Sequence, residues 1–310
     1  MHHEHEQDVF ILGTAYSGST LIGNFLNAHP QVTYIGEINR LPKFGPPKIH
    51  DWEATQDCFY CKLKGQECPY WTPQTIEKFY ANGESETFNT ARTIFKTPII
   101  VDGSKFLFWV RHMIEKGYDI TRAKAIVSIK NPFATVYSII KRGAFETFEA
   151  ANTWRDTYFD IARSLNTWGI SYVIVKYEDF YFNFEATARR IADFLHIEVT
   201  EEMQKFMELP VHSIGGNISP FAKSKDIAPK LAQTPNEKLT PITLGFNYTR
   251  EYTTAEWGTF KDIRWIKHLE PWQISLIMST PGLVDVASMY GYDIPEVLAE
   301  YTMIKNTQAT

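Results

Sequence analysis

A run of small and hydroxylated residues, GTAYSGST, occupies positions 13–20 and has the composition of an anion-binding loop. Small residues let the backbone approach an anion closely, and the N-terminus of a following helix directs unpaired N–H groups toward it. The hydroxyl groups of Ser17, Ser19 and Thr20 add hydrogen-bond donors. The segment therefore predicts an anion-binding loop, and the alternative is a turn that binds no ligand.

The loop nearly matches the Walker motif G-x-x-x-x-G-K-[ST], because Gly18 follows Gly13 by five positions. Ser19 stands where that motif has its lysine. In kinases and NTPases the lysine reaches the terminal phosphates of the nucleotide. Its absence argues against ATP or GTP chemistry.

A second polar group lies in the segment KAIVSIKNPFATVYSIIKRG at residues 124–143. Lys130 follows a strand-like stretch, and open α/β sheets bind ligands at the carboxyl ends of their strands. Ser138 and Arg142 are four positions apart, so they share one face of the helix that Pro132 begins. Lys130, Ser138 and Arg142 would together suit a dianionic phosphate. The alternative is a solvated basic helix end.

Short apolar runs alternate with helical patterns before residue 200. The runs that predict strands are residues 9–12, 32–35, 99–101, 125–129 and 172–175. The longest helical patterns are residues 148–168 and 185–195. This alternation predicts an α/β fold with a central parallel sheet and helices on both faces.

The whole chain, residues 1–310, is expected to form a single domain. Residues 39–98 are rich in Pro, Gly, Lys, Tyr and Trp and weakly periodic, which predicts an irregular insertion or lid. The aromatic residues of this insertion would line an acceptor pocket or form a small core of its own: Trp52, Phe59, Tyr60, Tyr70 and Trp71. Residues 210–310 have more turns, which predicts an irregular and helical C-terminal part.

Charge and hydropathy exclude several kinds of partner. The net charge of -5 gives no reason to expect nucleic acid or an anionic membrane as a partner. No apolar run approaches the roughly 20 residues that span a bilayer, so no membrane span is expected. The N-terminus is polar and carries no secretory signal, which predicts a cytoplasmic location.

The three cysteines, Cys58, Cys61 and Cys68, have the spacing C-x₂-C-x₆-C. An odd number excludes a complete disulfide framework. Structural zinc sites usually have four ligands, and His50 or Asp57 could complete the set. Unlinked or partly paired thiols are the favoured interpretation, so no metal ligand is assigned.

The two anion-binding segments together resemble the sulfotransferase family that uses 3′-phosphoadenosine 5′-phosphosulfate (PAPS). That family pairs a 5′-phosphosulfate loop like GTAYSGST with an R-x-P segment and a following Ser for the 3′-phosphate. Lys130, Pro132 and Ser138 match this second pattern. The similarity continues through HPQVTYIGE, VDGSK, VKYEDF, IADFL, HSIGGN and MYGYD, over about residues 9–295. It implies a P-loop-like three-layer domain.

The resemblance implies PAPS as co-substrate, PAP as product, and a hydroxyl group of a small molecule, sugar or lipid as acceptor. The implied nucleotide-binding residues are Ala15, Tyr16, Ser17, Gly18, Ser19 and Thr20 at the 5′-phosphosulfate, Lys130, Ser138 and Arg142 at the 3′-phosphate, and Tyr177 near the adenine. Two positions depart from the family pattern. Tyr16 replaces a basic residue. Lys130 replaces an arginine and keeps its charge, but an ammonium group cannot bind a phosphate in the bidentate way of a guanidinium group.

Glu37 is expected to be the general base that takes the acceptor proton, provided that burial raises its pKa. Lys105 is expected to stabilise negative charge on the bridging oxygen of the leaving nucleotide. The reserve bases are His29, His112 and His212, and the cations that could compensate for Tyr16 and Lys130 are Lys105, Lys223, Lys225 and Arg250. Two other functions stay open: a P-loop kinase of a small metabolite and a catalytically inactive nucleotide-binding module.

Overall fold

A five-stranded parallel sheet forms the centre of the computed structural model, which describes residues 6–45, 55–143, 145–216 and 262–308. The strands are β1 (Gln7–Leu12), β2 (Val32–Gly36), β3 (Ile99–Lys105), β4 (Ala123–Ile129) and β5 (Ser171–Lys176). Their order in the sheet is β2-β3-β1-β4-β5. The predicted central parallel sheet is confirmed, and every predicted strand lies within an observed one.

β1 lies in the middle of the sheet, between β3 and β4. It pairs with β4 in unbroken register from Asp8↔Ala123 to Leu12↔Val127. From Val9 to Leu12 the strand is continuously apolar and buried, as expected for a parallel strand that is covered on both faces. The register between β1 and β3 shifts after Phe10, so Leu12 lies opposite Lys105.

The α-helices of the described residues surround this sheet. They are α1 (Ser19–Asn27), α2 (Phe59–Lys64), α3 (Pro73–Asn82), α4 (Thr87–Phe95), α5 (Leu107–Glu115), α6 (Pro132–Ile140), α7 (Thr147–Trp168), α8 (Tyr177–Phe182), α9 (Phe184–Leu195), α10 (Glu201–Gln204), α11 (Arg264–His268), α12 (Pro271–Met278), α13 (Leu283–Met289) and α14 (Ile294–Gln308). The two predicted long helices correspond to α7 and α9. Across the described ranges, no helix is long and apolar enough to cross a membrane.

The segment between β2 and β3 contains three of these helices, α2 to α4, in a stretch whose weak periodicity suggested irregular structure. A local signal for α3 is present, since Thr72 caps the helix by accepting a hydrogen bond from the Thr75 N–H at 3.2 Å and Pro73 occupies its first position. Phe88 of α4 packs edge-to-face on Phe10 of β1, with ring centroids 5.0 Å apart. This part of the insertion therefore shares the main core.

The aromatic residues of the insertion divide between core and surface. Trp71 is buried and stacks on Phe79 of α3 at 5.5 Å, and Tyr60 is also buried. Tyr70 is 47% exposed, and Trp52 lies outside the described residues. Tyr60 and Trp71 thus contribute to a core.

The C-terminal helices pack against α6 and α7. Trp265 of α11 stacks on Phe133 of α6 with ring centroids 5.1 Å apart. The Tyr290 hydroxyl, just after α13, donates a hydrogen bond to the Tyr158 carbonyl of α7 at 2.8 Å. The described part of the C-terminal region is therefore anchored to the helices that follow β4.

Candidate active site

The carboxyl ends of all five strands carry the predicted site residues. Residues 13–18 follow β1, Glu37 follows β2, Lys105 ends β3, Lys130 follows β4, and Tyr177 follows β5. Because the strands are parallel, these residues meet at one edge of the sheet. The strand order places Glu37 and Lys105 on one side of the loop, and Lys130 and Tyr177 on the other.

The backbone of the loop is shaped for close contact. Tyr16 and Gly18 have left-handed φ angles of 69° and 99°. A Cβ atom on Gly18 would lie 2.7 Å from Cδ2 of Tyr177, so only glycine lets this ring pack against the loop. A non-glycine residue such as Tyr16 adopts this conformation at a cost, and such strain concentrates at functional sites.

The N-terminus of α1 opens onto the loop without a side-chain cap. Within the described parts of the chain, no carbonyl or side chain accepts a hydrogen bond from the N–H groups of Gly18, Ser19 or Thr20. Ser17, Ser19 and Thr20 are buried. Unpaired backbone N–H groups converge here beside the three hydroxyls, so the loop fits a bound anion.

A buried tyrosine that the sequence analysis missed fixes the loop to β4. The Tyr158 hydroxyl of α7 donates to the Ser128 carbonyl at 2.9 Å and lies 3.2 Å from the Thr14 Oγ1. The Ser128 hydroxyl in turn donates to the Ser17 carbonyl at 2.9 Å. The spacing of α7 marks Tyr158 only as a core position, so no local signal reveals this role.

The second anion-binding segment adjoins the first. The Arg142 guanidinium lies over the ring of Tyr16, 3.9 Å from its centroid, and the Lys130 ammonium lies 4.6 Å from the centroid of Tyr177. Since Tyr177 also contacts the backbone at Gly18, both cations reach residues of the loop or rings packed against it. The two predicted segments are therefore in contact in the structure.

The carboxylate of Glu178, in the helix α8 that follows β5, holds the start of α6. Glu178 Oε1 accepts hydrogen bonds from the Asn131 N–H at 3.0 Å and side-chain amide at 2.9 Å. Its other oxygen accepts from the Tyr292 hydroxyl at 2.7 Å. The half-buried Ser138 donates to the Ala134 carbonyl within the helix at 2.8 Å. Glu178 and Tyr292 therefore position the turn that presents Lys130.

Lys130 is buried in an ion pair with Asp262, a partner that the sequence analysis did not identify. Arg264 donates to the same carboxylate, with Nε 2.5 Å from Oδ1 and Nη2 2.6 Å from Oδ2. Burial alone would raise the pKa of Asp262, but Lys130 and Arg264 hold it far below its ordinary value. Arg264 therefore places a guanidinium group next to the Lys130 ammonium, on the same carboxylate. Lys223, Lys225 and Arg250 lie outside the described residues.

Glu37 forms an ion pair with Lys105 and a second one with Arg40, at 3.2 Å. Burial alone would raise the pKa of Glu37, but the two cations outweigh it and lower the pKa below its ordinary value. The expectation of a pKa raised by burial is therefore wrong for Glu37 as it lies here. Lys105 has a left-handed φ of 70°, a conformation that a non-glycine residue adopts at an energetic cost.

The turn before Lys105 is organised by Asp102, which is fully buried and was not predicted as a site residue. Its carboxylate accepts hydrogen bonds from the Ser104 N–H at 2.8 Å, the Ser104 hydroxyl at 2.5 Å and the Trp109 indole at 2.7 Å. Burial raises the pKa of Asp102 to about 6. Asp102 thus holds the end of β3 in the shape that directs Lys105 toward Glu37.

The three reserve bases have other partners. The His29 ring accepts a hydrogen bond from the Gln31 N–H at 3.2 Å, and His112 lies 2.9 Å from the Glu84 carboxylate. The third, His212, lies against the cysteines of the insertion.

A parallel α/β sheet of this strand order, with a glycine- and serine-rich loop after its central strand and cations at the same edge, defines a P-loop-like α/β protein. The sequence model of the sulfotransferase family matches residues 8–201, and the chain belongs to this family. The resemblance drawn from the motifs is confirmed.

Several solved structures are similar to the chain. The sulfotransferase domain of the Synechococcus PCC 7002 olefin synthase is 16% identical, with a TM-score of 0.51 and coverage of 94% of this chain and 97% of that domain. The sulfotransferase domain of the curacin biosynthetic pathway is 15% identical, with a TM-score of 0.48. The match covers 77% of this chain and 95% of that domain. Mouse sulfotransferase SULT7A1 complexed with PAP is 15% identical, with a TM-score of 0.45. The match covers 96% of this chain and 89% of the mouse protein.

No match was found among curated proteins. The similarity to the olefin synthase domain is one of fold, since its identity is only 16%. It agrees with the P-loop-like α/β architecture described above.

Proposed function

We propose that this sulfotransferase moves the sulfuryl group of PAPS onto a hydroxyl group of a small molecule, sugar or lipid and releases PAP. The contact between Arg142 and Tyr16, at 3.9 Å, is the main support. This contact brings the segment proposed to bind the 3′-phosphate beside the loop proposed to bind the 5′-phosphosulfate. A nucleotide with two separate anionic ends fits this arrangement, and ATP lacks the 3′-phosphate.

In this proposal residues 15–20 bind the 5′ end through backbone N–H groups and the hydroxyls of Ser17, Ser19 and Thr20. Arg142, Ser138 and Lys130 bind the 3′-phosphate, and the ring of Tyr177 lies near the adenine. Lys130 and Arg264 already hold an anion, the Asp262 carboxylate. This ion-pair arrangement supports the proposal that the site accepts an anionic group.

Bound PAPS supplies a sulfuryl group on a phosphate leaving group. Sulfuryl transfer resembles phosphoryl transfer, in which attacking and leaving oxygens lie in line and catalysis is mainly positioning and charge stabilisation. The strand order places Glu37 on the side of the loop opposite Lys130 and Tyr177. The acceptor hydroxyl therefore approaches from the side of β2, where Glu37 takes its proton.

The ion pair between Lys105 and Glu37 couples the two catalytic roles. While Lys105 is paired with it, Glu37 stays ionised and is a weak base, because its pKa is low. When Lys105 turns to the bridging oxygen of the donor, Glu37 retains only Arg40, and burial of its side chain raises its pKa. Donor binding thereby strengthens the base, at the step where a proton must be taken.

The test is a thermal-shift comparison of PAP, AMP and ATP at equal concentrations. Stabilisation follows RT ln(1 + [L]/Kd), so PAP should raise the melting temperature well above the effect of AMP or ATP. Radiolabelled PAPS incubated with a panel of phenols, sugars and lipids then identifies the acceptor class. Equal shifts with AMP and PAP would contradict the proposal.

Two outcomes separate the alternatives. Mg²⁺-dependent phosphorylation of a small metabolite by ATP would identify a kinase. Tight PAP binding without transfer to any acceptor of the panel would identify an inactive nucleotide-binding module.

A further inference from the structure

The three cysteines of the insertion converge on one histidine from a distant part of the chain. The Sγ atoms of Cys58, Cys61 and Cys68 lie 3.7, 3.3 and 3.5 Å from Nδ1 of His212. All four atoms lie within 4.8 Å of one another. The three thiols are free of disulfide bonds, and Cys58 and Cys61 are buried.

Hydrogen bonding does not account for this arrangement. A ring nitrogen of histidine has a single hydrogen-bonding direction, as either donor or acceptor, so Nδ1 can serve only one of three sulfur atoms at a time. A tetrahedral Zn²⁺ bound at about 2.3 Å from sulfur and about 2.0 Å from nitrogen places each sulfur about 3.5 Å from the nitrogen. The observed distances bracket that value.

We propose that Cys58, Cys61, Cys68 and His212 bind one structural Zn²⁺. Four protein ligands complete a tetrahedral shell and leave no position for water or substrate, which is the pattern of structural rather than catalytic zinc. His212 takes the place that the sequence analysis offered to His50 or Asp57. The Asp57 carboxylate instead pairs with Lys62 at 2.6 Å, and His50 lies outside the described residues.

The local structure supports thiolate ligands. Cys58 is the N-cap of α2 and Cys61 lies in its first turn, so the C-x₂-C spacing turns both side chains to one side. The Gln66 side-chain amide lies 3.8 Å from the Cys61 sulfur, and the Trp71 N–H donates to the Cys68 sulfur at 3.4 Å. Such N–H groups around the sulfurs orient and stabilise metal-bound thiolates.

The zinc site would tie the insertion to the backbone of the proposed base. Ile214 forms bridges with Gly36 at the end of β2 and with Cys58. Its carbonyl accepts a hydrogen bond from the Glu37 N–H at 2.7 Å, and the Trp71 indole donates to the His212 carbonyl at 2.8 Å. A metal at His212 therefore fixes the segment on which the Glu37 backbone rests.

Gly36 makes this close approach possible. A Cβ atom at this position would lie 2.2 Å from the Ile214 carbonyl oxygen, and its φ of 80° favours glycine. The structural zinc site stands independently of sulfuryl transfer, and only its influence on Glu37 rests on the proposed function.

The deciding measurement is the metal content of the full chain, purified under reducing conditions without chelators, by elemental mass spectrometry. We expect one zinc per chain in the wild type and in Asp57→Asn, a matched control beside Cys58, and loss of zinc from Cys61→Ser. Co²⁺ exchanged into the site should give the intense visible bands of a tetrahedral thiolate complex.

A wild-type chain that carries no zinc and takes up none when ZnCl₂ is added would overturn the proposal. A disulfide between two of the cysteines in the freshly purified chain, detected by thiol titration of the unfolded protein, would also overturn it. Neither measurement involves a nucleotide, so this result is separate from the test of sulfuryl transfer.

Discussion

The ammonium group of Lys105 and the carboxylate of Glu37 form an ion pair across the ends of the neighbouring strands β3 and β2. Both side chains are largely buried. The pair holds the two proposed catalytic groups together before any substrate arrives and keeps Glu37 ionised. Removing Lys105 therefore changes the pKa of Glu37.

Replacing Lys105 by Met should lower kcat by about 10²–10³-fold, as expected when a group that stabilises transition-state charge is lost. The affinity for PAP, measured by calorimetry, should change little. Removal of Lys105 also raises the pKa of Glu37, so the acid limb of the pH–rate profile should move to higher pH.

Two variants make this experiment decisive. Lys116→Met, at an exposed lysine just after α5, should leave kcat unchanged. Glu37→Gln should remove the acid limb and lower kcat by about 10²–10⁴-fold. If Glu37→Gln keeps near-normal turnover, Glu37 is not the base, and if Lys105→Met loses only affinity for PAP, Lys105 is a nucleotide-binding residue instead.

Arg142 should provide the discrimination between PAP and AMP, because only PAP carries a 3′-phosphate. Charge-assisted hydrogen bonds contribute about 1.5–3 kcal/mol, so Arg142→Ala should weaken PAP binding by roughly 10–100-fold. AMP binding should be nearly unaffected. Calorimetric titration of both nucleotides checks this prediction, with Arg163→Ala on the exposed face of α7 as the control. An equal loss for both nucleotides would place Arg142 elsewhere in the site.

Asp262 competes with the 3′-phosphate for Lys130 in the proposed site. Asp262→Asn removes this competing charge, so we expect PAP to bind about tenfold more tightly, with an effect that weakens as salt is added. The same change should lower the melting temperature, because Lys130 and Arg264 lose a buried counter-charge. Weaker PAP binding by a folded Asp262→Asn chain would show that the carboxylate is needed to hold Lys130 in position.

The fold could be read from the sequence because its signals are local. Apolar runs ending at Gly13 and Gly36 mark the ends of two strands, and the alternation of strands with helices specifies a parallel sheet. Parallel strands that end at one edge place Glu37 and Lys105 at that edge, and the adjacency of β2 and β3 in the sheet, which the sequence does not specify, brings them into contact. The helices α2 to α4 were not predicted, because the Pro- and Gly-rich composition of residues 39–98 hid them and contacts such as that of Phe88 in α4 with Phe10 of β1 are tertiary.

The remaining site residues depend on contacts that sequence spacing does not encode. His212 follows Cys58 by 154 positions and Asp262 follows Lys130 by 132. Each pair is formed by tertiary packing of a later segment onto the edge of the sheet. Only an ionisable or ligating residue type marks such positions in the sequence, and this chain has many of those.

Asp102 should give the stability of the protein a distinctive pH dependence. Its pKa is raised to about 6 in the folded chain from 3.8, so the folded state binds this proton more tightly than the unfolded state does. The contribution of Asp102 to the free energy of unfolding therefore decreases as the pH rises from 3.8 to about 6, and it is constant at higher pH. Relative to Asp102→Asn, the wild type should lose roughly 2–3 kcal/mol between about pH 4 and pH 7. Urea unfolding at both pH values measures this difference, and parallel pH dependences would contradict it.

Removal of the proposed zinc should loosen the backbone of Glu37 before it unfolds the sheet. The Glu37 N–H donates to the Ile214 carbonyl and the Phe59 N–H donates to the Ser213 carbonyl, and these acceptors lie two and one positions after His212. Chelation under reducing conditions should therefore speed hydrogen exchange at these two amides by about tenfold or more, while the amides of β1 keep their protection. Mass spectrometry of peptic fragments measures the exchange, and re-addition of ZnCl₂ should restore it. Unchanged exchange at Glu37 in a chain shown to have lost its zinc would mean that the β2 pairing alone holds this segment, and that the metal stabilises only the insertion.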